Sequence, residues 1–170
     1  MSLREVFAFP EVVNDYAARC TAGLVVTLAV ATILAPPPVQ VWLAAALVVG
    51  FALRVAGGPR YSPFGRLSVH VIAPRVSSTP KLVAGAPKRF AQTIGLVMSS
   101  VALGLFLAGL STAGAVVLGV LVAAALAEAA LGFCLGCWLY AHLQRVGVVS
   151  DDSCVECADI WARPGMTARS

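Results

Sequence analysis

Four stretches of the chain are almost continuously apolar, at about 17–35, 39–56, 91–110 and 113–132. Each is close to the roughly 20 residues that a helix rising about 1.5 Å per residue needs to cross about 30 Å of hydrocarbon. Pro36, Pro37 and Pro38 separate the first two, and Ser111 with Thr112 the last two, so the runs pair into hairpins with short uncharged turns. The pattern predicts an all-α polytopic membrane protein with four transmembrane helices in two hairpins. Residues 1–147 make up that domain, with 57–90 as its long middle loop, and 148–170 form a tail.

Composition supports the same class, since 59% of the residues are hydrophobic, 12% are charged and the mean hydropathy is +0.89. A water-soluble domain is not that apolar. Seven of the twelve Lys and Arg lie in 54–89, and no acidic residue stands between Asp15 and Glu128. A net charge of +4 raises nucleic acid as a partner, but no basic face interleaved with aromatics is visible. A basic loop flanked by uncharged turns is instead an orientation signal that assigns 57–90, and with it both termini, to the cytoplasmic side. Trp42 then marks the outer interface, and Tyr16, Trp138 and Tyr140 the inner one. Ala29, Val30 and Ala31 offer a small-x-small cleavage site. The leading segment is acidic, however, with Glu5, Glu11 and Asp15 against Arg4 and Arg19, which a signal peptide does not show. No internal repeat is visible.

Chemistry concentrates in the cysteines. Cys134 and Cys137 fall at the cytoplasmic boundary if the fourth span starts near Ala113; Cys20 sits at the same depth, where packing is the simplest role. Cys154 and Cys157 follow in the tail. A reducing compartment disfavours permanent disulfides, leaving metal binding, transient redox chemistry or packing. On a helix continuing to Arg145, Cys134 and Cys137 would be far from any helix N-terminus and unaided in ionising. Their Cβ atoms, about 5–6 Å apart at i,i+3, would also suit a disulfide poorly unless Gly132 and Gly136 loosen the turn. In contrast, Ser153, with Glu156 three residues on, reads as a capping box opening a short cytoplasmic helix CVECADIWAR, and puts Cys154 at its start as the best nucleophile. The full spacing, C-x2-C-x16-C-x2-C, equally fits a four-cysteine zinc site made of Cys134, Cys137, Cys154 and Cys157.

Glu128 stands inside the fourth span, where a carboxylate needs a partner or a water pocket. On an unbroken helix it is about 120° from Cys134 and about 180° from Cys137, so it shares their face only if the helix breaks at Gly132. Arg60, Arg66 and Arg75, in a loop rich in Pro and aromatics, either hold that loop at an anionic leaflet or form an anion-binding cap. With Glu128 they make a small-anion carrier the third reading. No phosphate loop, nucleophile elbow or zinc-protease motif is present.

The chain resembles a bacterial, largely actinobacterial, family of integral membrane proteins known as domain of unknown function 4395. The resemblance lies in FAFPEVVNDYAAR (7–19), GPRYSPFGRL (58–67), HVIAPR (70–75), APKRFAQTIG (86–95) and GFCLGC (132–137). It implies four spans, thioredoxin-like or sulfurtransferase proteins as partners, and Cys134 and Cys137 as the family's paired cysteines, without an activity. Two functions follow as expectations. In the first, a thiol/disulfide or sulfur-handling component, Cys154 reacts first, Cys157 resolves, and Cys134 and Cys137 exchange with a membrane partner. The second is a noncatalytic membrane protein whose tail is clamped by zinc. Four spans bury limited area, so a homo-oligomer or a partner helix fits either.

Overall fold

A computed structural model of the chain describes residues 12–72, 75 and 82–147. The fold is all-helical apart from one short ribbon, with four long apolar helices that could span a membrane and a shorter C-terminal helix. Strand β1 (Val12–Asn14) leads into α1 (Asp15–Leu34), whose start is capped by the Asn14 side chain accepting from the Tyr16 N–H at 3.0 Å. Pro36 caps α2 (Pro37–Gly57), so two of the three prolines expected to stop the first span instead open the second, where a missing N–H is harmless.

A single 3-10 turn (Gly58–Arg60), a short helix α3 (Pro63–Leu67) and a π turn (Ser68–Ile72) follow. Strand β2 (Leu82–Ala84) then pairs antiparallel with β1, aligning Val13 with Val83. Helix α4 (Gly85–Leu107) begins before the expected 91, which draws Lys88 out of the loop and into its first turn. The turn to α5 (Ser111–Leu126) is at 108–110, so Ser111 and Thr112 belong to the helix. A π turn (Ala127–Leu131) ends the fourth apolar element, and α6 (Leu135–Arg145) closes the described chain.

Packing runs in a ring, α1 on α2, α2 on α4, α4 on α5 and α5 back on α1, with α6 laid against α4. Small residues at the centre, among them Ala29, Ala44 and Ala102, are fully buried and let the helices approach closely, which matters where lipid removes the hydrophobic drive between helices. Phe51, Phe106, Leu47 and Leu118 fill the remaining space. The outward faces stay apolar, with Val49, Val97, Val116 and Val120 exposed, as a lipid-facing surface requires. Hydroxyls within the spans are satisfied locally: Thr21, Thr27, Thr32 and Thr93 each donate to the carbonyl four residues back.

Candidate functional site

One end of the bundle gathers the charged side chains of four helices. Asp15 begins α1, Arg54 lies near the end of α2, Lys88 is in the first turn of α4, and Glu128 is in the π turn after α5. Lys88 Nζ bridges the two carboxylates, 2.7 Å from Glu128 Oε1 and 3.2 Å from Asp15 Oδ1. Arg54 is buried, donates from Nε to the Gly50 carbonyl at 3.0 Å and lies 4.2 Å over the Phe51 ring. Glu128 therefore has the partner that an intramembrane carboxylate needs.

The continuous helix expected through Cys134 and Cys137 is not what forms. Gly132 adopts φ +70, the left-handed conformation that a Cβ disfavours, and ends the π turn with its N–H on the Glu128 carbonyl at 3.0 Å. Arg19 reaches from α1 to hold the carbonyls freed there, with Nε to Ala129 O at 3.2 Å and Nη2 to Ala130 O at 2.8 Å. The chain then restarts as α6, with Cys134 as its N-cap. This overturns the expectation that the pair lies far from a helix N-terminus, because the break makes a new one.

Cys134 Sγ accepts from the Cys137 N–H at 3.3 Å and from the Cys137 thiol at 2.7 Å. The i,i+3 separation expected to suit a disulfide poorly on a regular helix is narrowed by the non-helical cap residue, at φ −89 and ψ 103, after the turn is broken at Gly132. Gly136 lets α6 lie directly on α4: a Cβ there would stand 2.6 Å from Ala91 Cα. Tyr140, expected at the headgroup level, is instead buried against Phe90 at 5.5 Å between rings, since α6 folds onto α4; Trp138 is exposed and stacks on His142.

The hydrogen bond from the Cys137 thiol holds the Cys134 thiol below the ordinary cysteine value, against the opposing effects of burial and of the Glu128 carboxylate, with Lys88 a lesser aid. Cys137 is pushed up, first because it is the donor in that bond and then by burial. Cys134 is thus the more acidic thiol of the pair and Cys137 the donor. Alkylation of the reduced protein at Cys134, followed by mass spectrometry against pH, is expected to reach half its maximal rate below the about 8.5 of a free cysteine. Below that half-point the thiolate protonates and the rate falls. Cys137→Ala removes the main cause and should move the half-point up; an unmoved profile would remove Cys137 as the activating group.

Cys134 lies between two cavities. One, of about 210 Å³, runs into the bundle among apolar side chains and carries Arg54, Lys88, Gln92 and Glu128 on its wall. The other, of about 260 Å³, lies at the bundle end, lined by Asp15, Lys88, Phe133, Cys137 and Trp138 as well as Cys134. Cys20, half-buried on α1, lines neither, and Arg60, Arg66 and Arg75 are exposed on the loop and line neither. Arg75 donates to the Val71 carbonyl at 3.0 Å. The expected capping box and the pair Cys154 and Cys157 fall outside the described residues, and with them half of the expected zinc ligands. Among the described residues no group of three or more His, Cys, Asp or Glu is arranged to hold a metal ion.

Sequence reasoning singled out Glu128, Cys134 and Cys137 but treated Lys88, Arg54 and Asp15 as loop or end charges. Pro87 was the available signal, because proline suits the first turn of a helix and so moves the start of α4 to include Lys88. No curated protein and no solved structure matches the chain. A family model matches residues 13–145, a span that contains every side chain of the ionic cluster and the CxxC pair, and the chain belongs to that family, the Domain of unknown function (DUF4395).

Proposed function

We propose that this multi-pass membrane protein is a thiol–disulfide exchange component whose reacting pair is Cys134 and Cys137. The observation that carries the reading is Cys134 Sγ at a helix N-cap, accepting from both the N–H and the thiol of Cys137 at 3.3 and 2.7 Å. An N-terminal thiolate with a protonated neighbour is the arrangement that dithiol exchange uses. In the reducing direction, the Cys134 thiolate attacks one sulfur of a partner disulfide, the partner's other sulfur leaves as thiolate, and a mixed disulfide forms. Cys137 gives up its proton and attacks Cys134 Sγ, which releases the second partner thiol and leaves the Cys134–Cys137 disulfide. Two electrons pass from this chain to the partner.

The end cavity, lined by both sulfurs together with Phe133 and Trp138, supports a protein or small thiol partner approaching from that end. Seven of twelve basic residues in 54–89 support a cytoplasmic location for it, consistent with a thioredoxin-like or sulfurtransferase partner, and the tail pair Cys154 and Cys157 is a candidate first exchange partner. The test is to treat reduced, detergent-purified protein with bis(2-hydroxyethyl) disulfide and map the products by peptide mass. A Cys134–Cys137 disulfide, formed equally well with both tail cysteines changed to serine, is the expected result. Unreacted thiols at 134 and 137 would overturn the proposal. Zinc co-purifying in equal amount, with all four thiols protected, would replace it with the four-cysteine clamp.

A further inference from the structure

We infer that the cavity inside the bundle is a quinone site, and that a lipid-soluble quinone is the electron acceptor which reoxidises or drains the Cys134–Cys137 pair. The inference rests on the dithiol reading above and adds to it the chemical class of the second partner. Cys134 lines both cavities whereas Cys137 lines only the end cavity, so one sulfur faces two routes of access. The inner route is largely apolar, formed by residues of α1, α2, α4, α5 and α6, and its wall includes Val120 and Leu135, which are also exposed on the outer apolar surface. A ligand reaching Cys134 that way comes out of the bilayer.

Three features narrow what that ligand is. A dithiol releases electrons in pairs, so an acceptor taking one would leave a sulfur radical, while a quinone takes two together with two protons. The cavity wall carries Arg54 beside the paired Lys88 and Glu128, and the Arg54 guanidinium suits a carbonyl oxygen that gains negative charge on reduction. Gln92, on the same wall, has its Oε1 buried without a hydrogen-bond partner among the described residues, and a buried amide oxygen in that state calls for a donor such as a quinol hydroxyl. An acyl chain would fill the apolar part but leave that oxygen unpaired. The step balances: Cys134 and Cys137 form one S–S bond and lose two electrons, the quinone gains them, and its two oxygens take one proton from the Cys137 thiol and one from water.

The experiment uses the full chain, reduced, in detergent without oxygen, and 2,3-dimethyl-1,4-naphthoquinone, whose ring positions are blocked against thiol addition. Loss of quinone absorbance, quinol formed and free thiols are followed together, with bis(2-hydroxyethyl) disulfide as a parallel oxidant. The expected result is one quinone reduced per Cys134–Cys137 disulfide formed. Gln92→Leu is expected to slow the quinone reaction about tenfold, the size of one buried hydrogen bond, and the cavity-filling Ala124→Phe to slow it at least as much by occlusion, while oxidation by the soluble disulfide keeps its rate. Oxidation by the soluble disulfide with no quinone reduction would overturn the quinone inference alone. Failure of both oxidants would remove the dithiol reading, and the quinone with it. Equal slowing of both oxidants in both variants, or an unslowed quinone reaction, would show that the cavity is not the route.

Discussion

Exchanging Lys88 for methionine is expected to destabilise the bundle by about 3–5 kcal/mol, the usual loss when one member of a buried ionic group is removed and the rest keep their charge. The Lys88 side chain is 7% exposed, between Asp15 at 12% and Glu128 at 20%, and it is the cation within bonding distance of both. Methionine matches its volume but leaves two carboxylates facing each other across an apolar gap. Adding Asp15→Asn and Glu128→Gln to the same chain should restore most of the stability, because the loss comes from uncompensated charge and not from packing. Thermal unfolding in a mild detergent, followed by helix content, measures both variants. A Lys88→Met protein as stable as the parent would mean that the triad contributes nothing to holding the helices.

Gly136→Val is expected to act on the site through the backbone. A Cβ at that position would meet the Ala91 main chain, which has no flexible end that can swing aside, so α6 has to retreat from α4. Overpacking of this kind costs about 1–3 kcal/mol. The larger effect is on chemistry: α6 carries Cys137, and its retreat takes the donor away from the cap sulfur and the pair away from Lys88. Disulfide formation by bis(2-hydroxyethyl) disulfide should fall to the background rate, and the Cys134 alkylation half-point should rise toward that of a free cysteine. If Gly136→Val reacts as the parent does, the seating of α6 on α4 does not position the thiols.

The four long helices were legible in the sequence because each apolar run is about as long as a hydrocarbon barrier is thick, and length needs no knowledge of neighbours. The break at Gly132 was not. Glycine is also common in helices packed within membranes, and the partner of the carbonyls that the break frees is the Arg19 guanidinium, far away in the chain. Lys88 was hidden differently. Placed in a basic run next to Arg89, it reads as an orientation signal; only the two distant carboxylates make it an interior residue. Glu128 announced that it needed a partner, yet the spacing along one helix could not say which element would supply it.

The β1–β2 ribbon sets an order of events as well as a shape. It ties the segment before α1 to the segment before α4, aligning Val12 with Ala84 and Asn14 with Leu82. During synthesis the first hairpin therefore emerges with one strand edge unmatched and Asp15 lacking its counter-ion, and neither want is met until Lys88 has been made. Glu128 and the cap cysteine arrive later still. Nascent chains halted before the turn that carries Glu128 therefore lack both the closed ionic cluster and the paired sulfurs, and the sulfurs come together only when the last helix is laid on α4.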